Sequence, residues 1–144
     1  MRSHDPAELQ ELARAFIDAV APADAAIVVT LSGDLGAGKT TFAQGVARAL
    51  GVTETVSSPT FVIEKVYALS DQQWDRFIHI DAYRLNSSHE LMVLGWNELI
   101  ADSKNIIVLE WPERVSDLIP KHAVQIRFDI KNEERIITIN GQEN

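Results

Sequence analysis

Gly33-Asp34-Leu35-Gly36-Ala37-Gly38-Lys39-Thr40 has the spacing Gly-x-x-x-x-Gly-Lys-Thr, and residues of these types in this order hold phosphate. Glycines let backbone N–H groups close around phosphate oxygens that larger residues would keep at a distance. A helix beginning at the end of the loop adds its partial positive charge. Lys39 then reaches the β- and γ-phosphates, and Thr40 offers a hydroxyl to Mg²⁺.

The flanks suit that chemistry. The apolar run Ile27 to Leu31 predicts a buried strand, and Thr41 to Leu50 predicts a helix ending at Gly51. Strand, glycine-rich turn and helix is the order a phosphate cradle needs. A glycine turn fitting the pattern by accident would have no reason to carry these neighbours.

Two further apolar runs end in an acid, Phe77 to Asp81 and Ile106 to Glu110. Open α/β sheets collect ligands at the carboxyl ends of their strands. An acid placed there, near a phosphate loop, can hold Mg²⁺ directly or through water, or can orient an attacking water. The plainer alternative is that each acid only terminates its strand, and spacing does not rank the two. His79 and Asp81 alternate and so share a strand face. For His79 alone the plainer reading, a half-buried strand residue, is preferred. Tyr83 and Arg84 read equally well as packing and surface residues. Ser57-Ser58-Pro59-Thr60 is either a turn or a hydroxyl-bearing loop that senses a γ-phosphate, and spacing alone favours the turn. Trp96 and Trp111 read as core aromatics, and Pro112 fixes the exit of the chain after Glu110.

The elements that must position these groups follow from periodicity. Asp5 is a cap candidate with Pro6 at the first helical position, and Leu9, Leu12, Ala13, Phe16, Ile17 and Val20 recur at helical spacing. Phe61–Leu69 and Trp74–Ile80 predict two strands joined by the short connection Ser70 to Gln73. Ser87 or Ser88 caps a helix that Gly95 closes, and Trp96 to Ala101 predicts another short helix. Ile106-Ile107-Val108-Leu109 is the unbroken apolar run of a strand covered on both faces. Val124–Ile130 and Arg135–Asn140 predict a hairpin around residues 131–134. The fold class is therefore α/β, a P-loop NTPase-like mixed sheet with flanking helices and antiparallel hairpins on either side of parallel strands. Residues 1–144 are expected to form a single domain.

Composition narrows the function classes. The 144 residues are 46% hydrophobic, enough for a real core but leaving little room for a lid or a separate substrate domain. No run approaches the roughly 20 apolar residues of a membrane span, and the N-terminus lacks the apolar core of a signal peptide. The absence of cysteine excludes disulfides and thiolate metal sites and fits a cytoplasmic protein. His4, His79, His89 and His122 show no metal-ligand spacing. The net charge of −8, from 21 acidic and 13 basic residues, speaks against unaided nucleic-acid binding, which needs a basic stripe.

Gly33 through Thr41, Ser58-Pro59-Thr60-Phe61, His79 through Leu85, Leu94-Gly95 and Leu109 through Glu113 occur in the order seen in the TsaE family. The chain resembles that family from its first helix to its C-terminal hairpin. The resemblance implies a weak intrinsic ATPase, with ATP and Mg²⁺ as ligands, required for threonylcarbamoyladenosine modification of tRNA. It further implies partners, TsaB and the transferase TsaD, with tRNA reached through them. Carried over by residue, the loop from Gly33 to Thr41 and Lys39 bind nucleotide, and Thr40 and Glu110 contact the metal. Asp81 lies by the γ-phosphate and attacking water, Ser58-Pro59-Thr60 takes the switch-like position with Thr60 as a nucleotide contact, and Trp111 flanks the site. Ile80 and Ala82 around Asp81, and Met92-Val93-Leu94 in place of a more acidic helix, depart from the family pattern. These changes bear on packing or partner fit.

Two other classes compete. A small-molecule kinase needs an arginine-bearing lid, and Arg76, Arg84, Arg114, Arg127 and Arg135 are scattered without an insertion to carry one. A GTP switch would need a guanine-reading Asn-Lys-x-Asp segment, which is missing here.

Overall fold

The computed structural model describes residues 2–3, 6–21, 23–33, 38–53, 64–140 and 142–143. The Asp5 cap, Asp34 to Ala37 of the loop and residues 54–63, including Ser57 to Phe61, lie outside the described residues. In chain order the elements are β1 (Arg2–Ser3), α1 (Pro6–Ala19), β2 (Ile27–Gly33), α2 (Lys39–Ala49), β3 (Glu64–Ala68) and β4 (Arg76–Asp81). A 3-10 turn (Ala82–Arg84), α3 (Ser88–Val93), α4 (Trp96–Ala101), β5 (Asn105–Glu110) and a 3-10 segment (Pro112–Leu118) follow. The chain closes with β6 (Val124–Lys131), β7 (Glu134–Ile139) and β8 (Gln142–Glu143).

The described strands join one sheet in the order β1-β7-β6-β2-β5-β4-β3, with β8 also paired to β7. β6, β2, β5 and β4 are parallel neighbours. The antiparallel partners β7 and β3 border them, as the hairpin pattern predicts. Every residue of β5 is buried, because helices cover both faces. On one face Leu9 and Ala13 of α1 and Phe42 and Val46 of α2 share a core with Val29, Leu31, Phe77 and Val108. On the other, Leu91, Trp96 and Val115 pack with Val28, Ile78, Ile107 and Leu109. The odd–even alternation of β2, β4 and β5 decides which side chains meet α2, and therefore which can reach its N-terminus.

α2 stops where the sequence predicts. The Gly51 and Val52 amides donate to the Arg48 and Ala47 carbonyls at 3.0 and 2.9 Å, a Schellman closure. Three details differ from expectation. Asn132 and Glu133, both at positive φ, make a two-residue turn, so Lys131 and Glu134 pair as strand residues. Ser87 occupies the cap of α3 without a side-chain cap bond, while Ser88 Oγ donates to Asp117. β1, β8 and the segment after Trp111 carry no periodic signal, being too short or too irregular for one. Among the described residues no helix is long and apolar enough to cross a membrane.

Candidate nucleotide-binding site

The two ends of the glycine loop are fixed by geometry that other residues cannot adopt. Gly33 ends β2 at φ 120°, and a Cβ there would stand 1.8 Å from the Phe128 carbonyl oxygen of β6. Gly38 turns the chain into α2 at φ 109°. The helical hydrogen bonds start at this glycine, whose carbonyl accepts from the Phe42 amide at 2.8 Å. The first-turn amides of α2 have no intrahelical acceptor and are the donors a bound anion would use.

Lys39 begins α2 and is only 5% exposed. Its Nζ donates to the Gly33 carbonyl at 2.9 Å and lies 3.7 Å from the centroid of the Trp111 ring. Thr40 and Thr41 follow in the first turn, both half-buried. Trp111 holds φ 61°, ψ 53°, a left-handed conformation unusual for so bulky a residue, and its amide donates to the Leu31 carbonyl at 3.1 Å. The turn after β5 thereby swings the indole back toward the loop. Tyr83 packs against its ring, the planes tilted by 52° and the centroids 5.0 Å apart, and the Arg114 guanidinium stands 5.2 Å from the Tyr83 ring.

Strand register delivers the acids. Leu31 of β2 pairs with Glu110 of β5, which pairs with Asp81 of β4. Both acids thus lie at the carboxyl ends of successive parallel strands, and both are buried. Asp81 Oδ1 accepts from the Tyr83 amide at 2.9 Å. Burial raises the Asp81 pKa above its ordinary value of 3.8, the Tyr83 amide opposes this, Glu110 adds to it, and His79 and Lys39 oppose it again. Glu110 Oε2 lies 2.6 Å from His79 Nε2, and the His79 ring stacks on Phe77 at 6.2 Å.

The donor chemistry fits Mg²⁺. Thr40, Glu110 and Asp81 offer hard oxygens, and Mg²⁺ asks a protein for only one or two of them when phosphates and waters supply the rest. No cluster of three or more His, Cys, Asp or Glu capable of caging a metal unaided occurs among the described residues. A cation arriving with a nucleotide matches such a site.

Of the residues singled out from sequence, the structure brings Gly33, Gly38, Lys39, Thr40, Thr41, Asp81, Glu110 and Trp111 to one end of the sheet. Asp34, Leu35, Gly36, Ala37 and Thr60 lie outside the described residues. Two readings are corrected. The default reading of Trp111 as a core aromatic gives way to the one the resemblance implies, a partly exposed residue flanking the site, whereas Trp96 is the core aromatic expected. His79 is not half-buried but 1% exposed and bonded to Glu110. Its alternation with Asp81 and its place at the head of the segment from His79 to Leu85 were the available signals. Arg114 and Arg127 were also missed: with Gly33, Trp111 and Glu113 they line an open depression of about 380 Å³ beside the loop. Only the pairing of β6 with β2 makes Arg127 a neighbour of the loop.

A mixed sheet whose central strand ends at Gly33, a helix entered through Gly38, and acids at the ends of the next two parallel strands define a P-loop-type α/β fold. The family model described as "Threonylcarbamoyl adenosine biosynthesis protein TsaE" matches residues 3–137. The chain belongs to the TsaE family. A Bacillus subtilis relative named tRNA threonylcarbamoyladenosine biosynthesis protein TsaE is 36% identical over 141 residues, covering 97% of this chain and 84% of that protein. A Borreliella burgdorferi protein of the same name is 36% identical over 115 residues, 79% of this chain and 81% of its own length. The crystal structure of Bacillus subtilis YdiB superposes with a TM-score of 0.76 at 32% identity, covering 96% of this chain and 82% of that one.

Proposed function

We propose that this protein binds ATP with Mg²⁺ and hydrolyses it slowly, as an accessory ATPase of tRNA threonylcarbamoyladenosine biosynthesis acting with TsaB and TsaD. The observation that carries the reading is that Lys39, bonded to the Gly33 carbonyl, Glu110 and Asp81 share the end of the sheet where β2 stops and α2 starts. The names of its relatives supply the pathway.

Loop amides and Lys39 bind the phosphates, with Lys39 exchanging the Gly33 carbonyl for phosphate oxygens. Thr40 and Glu110 would hold Mg²⁺, which when bound neutralises charge on the β- and γ-phosphates. Asp81 stands ready to orient the attacking water, and its raised pKa suits a group that exchanges a proton. Fast hydrolysis also needs the γ-phosphate closed off from solvent and a cation set against it. The depression beside the loop is open, and its arginines are engaged elsewhere, Arg114 on Tyr83 and Arg127 with Asp129 at 3.2 Å. A partner would complete the site. The charge of −8 likewise favours tRNA contact through the partner.

The test is phosphate release from ATP by the chain alone, with TsaB and TsaD, and with candidate small-molecule acceptors. Slow release alone and a changed rate with the partners is expected. Phosphate transfer to an acceptor, or fast multiple turnover by the lone chain, would replace this reading with that of a self-contained enzyme.

A further inference from the structure

We infer that His79 is a positioning residue for Glu110: its ring holds one carboxylate oxygen, Oε2, and so sets how the other faces the Mg²⁺–nucleotide. The inference rests on the ATPase reading above and adds a residue to it.

His79 is on β4 and Glu110 on β5, two residues further along in register, since His79 pairs with Val108 and Asp81 with Glu110. Both side chains are almost wholly enclosed, at 1% and 4% exposure, and their 2.6 Å contact is a short hydrogen bond. A carboxylate oxygen only accepts, so Nε2 carries the proton and donates. The imidazole cannot easily turn away. It stacks on Phe77 with planes 13° apart, and Phe77 in turn stacks on Tyr67 with planes 19° apart. Four side chains from three strands thus form one ladder ending at Glu110 Oε2.

Packing alone does not call for a histidine here. The same face of the sheet is otherwise filled by Val29, Leu31, Phe77, Ile106 and Val108, and a buried imidazole is unfavourable unless hydrogen-bonded. An apolar side chain would fill the volume without that cost, but would leave Glu110 Oε2 without its donor and free to rotate. Groups that hydrogen-bond a metal-ligating carboxylate orient it, and removing such a group typically lowers metal affinity or activity about 10–100-fold.

The test uses the full chain and two variants, His79→Leu, which keeps bulk and loses the donor, and His79→Gln, whose amide can donate from near the Nε2 position. Affinity for the non-hydrolysable analogue AMPPNP is measured by calorimetry with Mg²⁺ and with EDTA, and ATP turnover is measured in parallel. In His79→Leu the gain in affinity that Mg²⁺ brings should fall roughly 10–100-fold, with affinity in EDTA unchanged. Its kcat should fall more than its KM rises, and His79→Gln should recover most of both losses. The inference is overturned if His79→Leu keeps the full Mg²⁺ gain. It is equally overturned if both variants lose affinity alike with and without Mg²⁺, the mark of a packing role or of a misfolded loop. A wild-type chain that binds no AMPPNP under either condition would sink the ATPase reading itself, and this inference with it.

Discussion

The Lys39 amine rests 3.7 Å from the centroid of the Trp111 ring while it donates to the Gly33 carbonyl at 2.9 Å. The phosphate lysine is therefore docked on the wall of its own site. A cation over an indole is worth about 0.5–2 kcal/mol depending on how dry the contact is. A bound phosphate offers full charge and draws the amine away.

Nucleotide should consequently be visible in tryptophan fluorescence. Trp74 and Trp96 are 3% and 0% exposed in the two cores, so a change on adding ATP should come from Trp111. Trp111→Phe should abolish the change while calorimetric binding persists. A signal that survives in Trp111→Phe would show that the indole does not report on the lysine.

Asp81→Asn should separate function from stability. Hydrolysis should drop by roughly 10²–10³, the usual cost of removing a group aimed at the reacting centre. Stability should move the other way. A raised folded-state pKa means the native protein holds its proton more tightly than the unfolded chain does. The stability this carboxyl contributes is thus fully present below 3.8 and lost as pH rises through the higher folded value. At neutral pH the asparagine variant should therefore unfold at higher urea than wild type, with the gap closing as pH falls through the raised folded value towards 3.8. Equal midpoints at neutral pH would mean that burial of Asp81 carries no penalty.

Gly33→Ala should fail for the fold before it fails for the chemistry. Its Cβ would lie 1.8 Å from the Phe128 carbonyl oxygen and its φ of 120° is closed to alanine, so β2 and β6 must part. Strain and overpacking together should cost at least about 2 kcal/mol, read as a lower urea midpoint. A midpoint within error of wild type would mean the strand end rearranges freely.

Much of this was legible in the residues. Glycine spacing, the run from Ile27 to Leu31 and the acids ending two apolar runs are local signals, and each maps onto one element. The unbroken apolar stretch of β5 even announced a strand buried on both faces. What stayed hidden depends on register between strands. Nothing in His79 or Glu110 alone states that β4 and β5 are parallel and aligned so that the two meet at 2.6 Å. Nor does sequence reveal the φ of 61° by which Trp111 comes to flank the site, because that conformation is held by the bond of its amide to Leu31.

The central claim is that the loop around Lys39 binds ATP, and calorimetric titration of Mg²⁺–ATP into wild type and into folded Lys39→Ala tests it most directly. Lys39 provides the ammonium at the loop mouth, and its loss leaves the backbone cradle without its charge partner. The account predicts saturable binding to wild type and loss of measurable binding in the variant, with both proteins unfolding cooperatively. Wild-type affinity in a folded Lys39→Ala, or no heat of binding in either protein at millimolar ATP, would contradict it.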